Sequence, residues 1–190
     1  FDYFDHHQNI IQCILADACG HGLAAALIMS NFRGLLQSEV TRETNFSGLF
    51  NSLNELVHLD DEQIQYLTGV FLHLDEETGV LDYLNAGHYE PVLIRPGGEV
   101  RNLSGGGPPL GMFRESQYPL CRSQLEPGDP IFLFTDGIVD VQAPSGDYFG
   151  QRRLLESICR HRGDNLEELA NEVLDDARRF AGTPIFEDDA

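Results

Sequence analysis

Lysine is absent from this chain. All 12 basic residues among its 190 are arginine, against 31 Asp and Glu, for a formal net charge of -19. That imbalance argues against a surface built for nucleic acid or an anionic membrane. It suits carboxylates clustered around divalent cations, although a solvated acidic surface accounts for most of the excess. Cysteine is scarce and scattered. Cys13, Cys19, Cys121 and Cys159 contain no C-x-x-C pair, so neither a zinc site nor a disulfide framework is indicated, and a reducing cytoplasm is the simplest home. No apolar run approaches the ~20 residues of a membrane span, no signal peptide is visible, and there is no repeat or low-complexity segment. What is present is ordinary globular composition, 42% hydrophobic and 9% aromatic, in a chain long enough to bury one sizeable core without staples.

The most informative stretch is residues 14–30, ILADACGHGLAAALIMS. Cys13 to Ala16 have the character of a buried strand end, and Asp17 follows directly. A carboxylate there is costly unless something positive meets it. With no Lys or Arg nearby in sequence, a metal ion is the cheapest candidate. Gly20 and Gly22 flank His21 and permit a tight turn, after which Leu23 to Ser30 are strong helix formers. A turn that leads into a helix N-terminus presents free N–H groups to an ion or phosphate. More plainly, Asp17 caps the helix and the glycines turn the chain. The stretch alone does not choose between these.

In chain order, residues 1–17 read as a hairpin that turns around HHQN. The triplet Asp5, His6, His7 echoes a metal signature of certain phosphoesterases, but the further Asp motifs of that group are missing and the turn is favoured. Apolar spacing predicts helices over 21–40 and 46–58, the second capped by Asn45. From Tyr66 the period changes to two, which predicts hairpins that turn at Glu77–Gly79 and Pro96–Gly98. SGGGPPLGMF, residues 104–113, reads as an irregular loop. Strand is expected from Tyr118 to Leu125, then a strongly apolar strand that ends on Asp136, and helices near 151–161 and 165–181.

Asp136, before Gly137 in IFLFTDG, repeats the setting of Asp17, and Asp188 and Asp189 follow the apolar pair Ile185–Phe186. Three carboxylates at separate strand ends are what an oxygen-ligated Mg²⁺ or Mn²⁺ requires. Any one alone is more often a turn or capping residue. His88, in NAGH, is expected to be a hairpin histidine satisfied by backbone groups.

Taken in order, DACGHGLAAAL, TGVFLHLDEETGVLDYLNAGHYEPVLIR, GGPPLGM, LEPGDPIFLFTDGIVD, DYFGQRRL and the closing DD resemble the bacterial SpoIIE/RsbU-type phosphatase domain of the metal-dependent (PPM, type 2C) protein phosphatase family. The resemblance implies an α+β fold, an α-β-β-α sandwich of two packed antiparallel sheets flanked by helix pairs, with its terminal strands truncated. It implies one domain over residues 1–190, an output domain cut from a longer regulatory protein. It also implies two Mn²⁺ or Mg²⁺ ions. Asp17 would bridge them, the Ala18 carbonyl would help one, and Asp136 and Asp188 would complete the carboxylate set. A metal-activated water would then attack the phosphorus of a phosphoserine or phosphothreonine in line, with no phosphoenzyme. A thiol mechanism is excluded, because no cysteine has the arginine of C-x5-R; Cys19 is then a small turn residue.

Departures from the family pattern matter as well. The family opens with G-G-D-x-[YF]-D, whose first Asp is a ligand. Asp2 could supply it, but its spacing from Asp17 fits the second Asp, which places the ligand before Phe1. The closing DD-[IM]-T is cut to Asp188, Asp189 and Ala190, and His21 receives no catalytic role. The implied partners are a phosphorylated STAS-type anti-sigma-factor antagonist and an upstream sensor or receiver domain, with control of a homodimer through the helices at 21–40 and 46–58. No nucleic-acid or membrane partner is implied. A domain that has lost its ligands and binds a partner without catalysis is the alternative.

Overall fold

The computed structural model describes residues 2–6, 9–20, 22–40, 46–58, 66–95, 97–163 and 165–183, of which 2–6, 24, 35, 37–40, 46 and 47 by backbone alone. These residues fall into two compact units, one formed by 1–90 with 104–127 and the other by 91–103 with 128–190.

The first unit is a five-stranded antiparallel sheet in the order β1-β2-β3-β4-β7, with two helices. Its strands are β1 (Asp2–His6), β2 (Ile10–Ala18), β3 (Leu67–Asp75), β4 (Val80–Ala86) and β7 (Cys121–Gln124), and its helices are α1 (Leu23–Val40) and α2 (Phe46–Val57). The expected first hairpin is present, with Asn9 in the left-handed region at φ 60, a conformation asparagine tolerates. Asn45, expected to cap α2, lies outside the described residues, as do His7 and His21.

Register decides what each face of this sheet does. Ile14 pairs with Phe71, Ala16 with Gly69 and Ala18 with Leu67, while Phe71 pairs with Leu84. Alternation therefore puts Ile14, Leu67, Phe71 and Leu84 on one face. There they share a core with Phe32 and Leu36 of α1 and with Leu49, Phe50 and Leu53 of α2. Phe50 contacts both Phe71 and Tyr118, at ring-centroid separations of 6.4 and 5.6 Å. The residues between, including Asp17, belong to the opposite face.

The Gly/Pro stretch 104–113 is less irregular than its composition implies. Leu110 and Leu67 exchange both backbone hydrogen bonds, at 2.8 and 2.9 Å, and Gly107 donates to the Asn85 carbonyl at 2.8 Å. The stretch is held from α2 by Asn54, which is 2% exposed. Its Nδ2 donates to the carbonyls of Phe113 and Arg114, both at 3.1 Å. Its Oδ1 accepts from the Gly111 N–H at 2.8 Å and from the Tyr118 hydroxyl at 2.9 Å. All four hydrogen-bonding positions of the amide are used. This also explains why strand begins at Cys121 and not at Tyr118: the buried Tyr118 side chain is drawn to Asn54, out of line with the sheet.

The second unit has a three-stranded antiparallel sheet ordered β6-β5-β8, made of β5 (Val92–Ile94), β6 (Val100–Asn102) and β8 (Ile131–Phe132), with helices α3 (Asp136–Val139), α4 (Gly150–His161) and α5 (Leu166–Ala181). The strand expected to reach Asp136 stops at Phe132. Its partner β5 is only three residues long and is already paired by Leu93 and Val92, so Asp136 instead opens the short helix α3. The helix pair α4–α5 agrees with expectation. Asn165 caps α5 by accepting from the N–H groups of Glu167 and Glu168, and Gly182 ends it in the left-handed region.

Asp176 ties α4 to α5. Its Oδ2 accepts from Ser157 at 2.6 Å, from Arg160 at 2.9 Å and from the His161 ring at 2.9 Å, and its Oδ1 from Arg179. Burial pushes this carboxylate up, but the hydrogen bonds from Ser157, Arg179 and His161 outweigh it and bring the pKa to about 2. Among the described residues no helix is long and apolar enough to cross a membrane.

Two outcomes are expected. Asn54→Ala strands the Gly111 N–H, two carbonyls and the Tyr118 hydroxyl, and it should cost about 2–4 kcal/mol in urea denaturation with an unchanged slope. Asp176→Asn should cost about 1–2 kcal/mol at neutral pH, allowing for the solvent-exposed arginines. Because the folded pKa lies below the unfolded value of 3.8, the wild-type advantage is complete above about pH 4 and fades as pH falls through 2. A pH-independent difference between the two proteins would contradict this.

Candidate metal centre

Asp17 is the penultimate residue of β2, half-buried and opposite Thr68 of β3. The strand end expected at Asp17 lies one residue further on: pairing continues through Ala18, opposite Leu67, and is extended by the Cys19 N–H, which donates to the Tyr66 carbonyl at 2.9 Å. The turn follows, with Gly20 and Gly22 at φ 88 and 84 and Cys19 exposed. Sheet geometry thus fixes Asp17 more firmly than a loop would, on the face that α1 and α2 do not cover.

Beside it stands a polar group that sequence reasoning did not assign. The Thr68 hydroxyl and His88 Nδ1 are 2.9 Å apart. Asn85, 3% exposed, holds the His88 backbone from both sides: its Oδ1 accepts from the His88 N–H at 2.8 Å, and its Nδ2 donates to the His88 carbonyl at 3.0 Å. The expectation that backbone groups would satisfy His88 is therefore corrected. A side-chain amide takes its backbone, and a hydroxyl meets its ring. Gly87 makes this fit, since at φ +67 a Cβ would stand 2.7 Å from the Pro109 nitrogen and closer still to its ring carbons. The signal in the sequence was the N-A-G-H spacing, which lets an asparagine bridge to the residue three places on.

Asp2 pairs opposite Ile14 on the edge strand β1, three positions along β2 from Asp17. The register runs from Asp2↔Ile14 to His6↔Ile10, so Asp2 is not the residue paired opposite Asp17.

In the second unit, Asp136 is the first residue of α3 and is half-buried, followed by buried Gly137, Ile138 and Val139. Its carbonyl accepts from the Asp140 N–H at 2.7 Å. It takes no part in the ion pairs that Arg95, Arg122, Arg152, Arg160, Arg178 and Arg179 make with other carboxylates. Asp188 lies outside the described residues. Among those described, no three His, Cys, Asp or Glu side chains are grouped to hold a metal ion. Asp17 and Asp136 are nonetheless hard oxygen donors on half-buried element ends, a donor chemistry that fits Mg²⁺ or Mn²⁺ and not a softer metal.

Replacing Thr68 with Val should remove the hydroxyl that meets the His88 ring without altering the β2–β3 register. In ¹⁵N–¹H correlation spectra the His88 ring signals should move, while amide shifts along β2 stay within normal scatter. Unmoved ring signals would show that Thr68 does not hold His88.

The chain matches the family described as Stage II sporulation protein E (SpoIIE) over residues 9–190. It is 27% identical over 147 residues to the phosphoserine phosphatase RsbP of Bacillus subtilis, an alignment that covers 75% of this chain and 36% of that protein. It spans between 31% and 56% of the length of the curated relatives it matches. Among solved structures, the PP2C phosphatase domain of the B. subtilis cell-fate determinant SpoIIE superposes with a TM-score of 0.79 at 17% identity, covering 97% of this chain and 55% of that one. RsbX in complex with magnesium superposes at 0.68 and 18% identity, with 96% and 80% covered. The mixed α+β architecture of two antiparallel sheets with helices is thus the PP2C fold, and the chain belongs to the SpoIIE family.

Proposed function

We propose that this chain is a metal-dependent serine/threonine phosphatase domain, the output domain of a longer regulatory protein, and that its substrate is a phosphorylated STAS-type anti-sigma-factor antagonist. The observation that carries the reading is family membership across residues 9–190 in a chain whose Asp17 and Asp136 are half-buried at element ends. RsbP, named a phosphoserine phosphatase, supports the substrate class.

Asp17, the Ala18 carbonyl, Asp136 and Asp188 would hold two Mn²⁺ or Mg²⁺ ions, with Asp2 as a further ligand. When bound, such ions acidify water and offset charge on phosphoryl oxygens. The chain's own contribution is placement. The β2–β3 ladder fixes the Asp17 backbone opposite Thr68, and the Asn85 clamp fixes the backbone of His88, whose ring meets the Thr68 hydroxyl. Preorganised groups of this kind need no rearrangement during reaction. The arginines that pair Asp82, Asp129 and Asp176 leave Asp136 to other partners.

The test is Mn²⁺-dependent hydrolysis of a phosphoserine peptide by the parent protein and by its Asp136→Asn variant, alongside Mn²⁺ titration calorimetry. Loss of about 100-fold or more in rate and a weakened Mn²⁺ isotherm are expected. Equal, negligible rates in both proteins would overturn the enzymatic reading and leave a domain that binds its partner without catalysis.

A further inference from the structure

The second unit holds a cavity of about 570 Å³ where the start of β8 meets the end of β5 and the turn between α4 and α5. It lies at the opposite end of β8 from Asp136. Ile94 and Leu169, each 3% exposed, supply apolar lining, and Leu166 at the start of α5 remains 58% exposed. Two guanidinium groups face the same space.

These two arginines are treated differently. Arg95 is ion-paired to Asp129, whose side chain is fully buried, so its charge is matched within the fold. Arg162 is exposed and makes no ion pair or hydrogen bond among the described residues. On α4, α5 and the turn between them there are six arginines. Arg152, Arg160, Arg178 and Arg179 meet carboxylates, and Arg153 lies over the Phe180 ring and bonds the carbonyls of Tyr148 and Phe149. Arg162 alone of the six has no such partner. Nor is its position accidental: its backbone, at φ -53 and ψ 134, closes α4, and its head rests on the β5–β6 turn at Gly98. A Cβ on Gly98 would stand 2.7 Å from Arg162 Cζ. The glycine leaves room for the guanidinium against the turn.

An unmatched, seated guanidinium beside an exposed leucine, in a chain of net charge -19, selects one ligand chemistry. The overall field disfavours acidic polypeptides in general, but at this cavity the planar fork of an arginine with no counter-ion among the described residues matches a carboxylate. We propose that this cavity docks a segment of a partner protein in which an acidic residue is adjacent to an aliphatic one, the carboxylate on Arg162 and the aliphatic side chain between Leu166 and the Ile94–Leu169 lining. Nothing in this depends on catalysis at Asp17 or Asp136.

The probe is N-acetyl-Glu-Leu-amide, titrated into the ¹⁵N-labelled chain and followed by NMR, with N-acetyl-Gln-Leu-amide and inorganic phosphate as comparisons. Saturable shifts are expected at the Arg162 side chain and at the Gly98 and Gly163 amides, with the Glu peptide binding at least about fivefold tighter than the Gln peptide. Arg162→Glu should abolish saturation, Arg162→Lys should retain a weaker form of it, and Gly98→Ala should weaken it by unseating the guanidinium. Spectra of the variants away from the cavity report that the fold is intact. Absence of saturable shifts, shifts that survive Arg162→Glu, or equal binding of the two peptides would overturn the proposal. So would phosphate that reproduces the peptide's shifts at the same concentrations, since the cavity would then be a simple anion site to which leucine adds nothing. None of these readouts uses phosphatase activity, so failure here and failure of the enzymatic reading are separable.

Discussion

A single buried amide sets much of the geometry on which the candidate centre depends. Asn54 bonds two N–H or O–H donors and two carbonyls from residues 111–118. A buried side chain with all its positions filled is rigid, and a partly filled one would be a liability. Through it, α2 is attached to the Gly/Pro segment, and that segment is paired at Leu110 to Leu67 of β3. The neighbour of Leu67 is Thr68, which stands opposite Asp17 and meets His88. A displacement of α2 has a short, hydrogen-bonded route to the face that carries Asp17.

Charge is organised in the same economical way. The chain has few cations, and in the second unit most are committed. Asp176 gathers Ser157, Arg160, His161 and Arg179 and joins two helices that also bury Leu154 and Ile158 of α4 and Leu169, Val173 and Ala177 of α5. Asp129 takes Arg95. Among the described residues Asp136 stands outside those pairs, and Arg162, like Arg101, makes none. Asp136 and Arg162 stand on half-exposed or exposed element ends, where a ligand can reach them.

The fold was legible to the extent that periodicity could carry it. Helices α1, α2, α4 and α5 and the hairpins of β1–β2, β3–β4 and β5–β6 follow from spacing, because burial imposes a period of 3.6 or 2 on the residues themselves. Where competition among distant groups decided the outcome, sequence reasoning missed. Tyr118 left the strand pattern for Asn54, 64 residues away. The apolar run IFLF formed only two residues of strand because β5 had room for no more. Local spacing makes His88 a hairpin residue satisfied by backbone, since neither Thr68 nor the Asn85 clamp is visible without the register of β3 and β4.

The sequence by itself determined the chemistry on offer: carboxylates at Asp17, Asp136 and Asp188, the glycines that follow two of them, the absence of lysine and of paired cysteines, and the order of motifs that marks the SpoIIE family. Residue type and local spacing are enough for that, because they fix which atoms are available and which turns the backbone can make. Only the tertiary structure decided that Asp17 sits within a strand on the face away from α1 and α2, that Thr68 and His88 accompany it, that Asp136 begins a helix, and that Arg162 has no counter-ion among the described residues. Each of these depends on strand register or on which of several arginines reaches a given acid first. Such choices are settled by packing between residues tens of positions apart, and no local pattern encodes them.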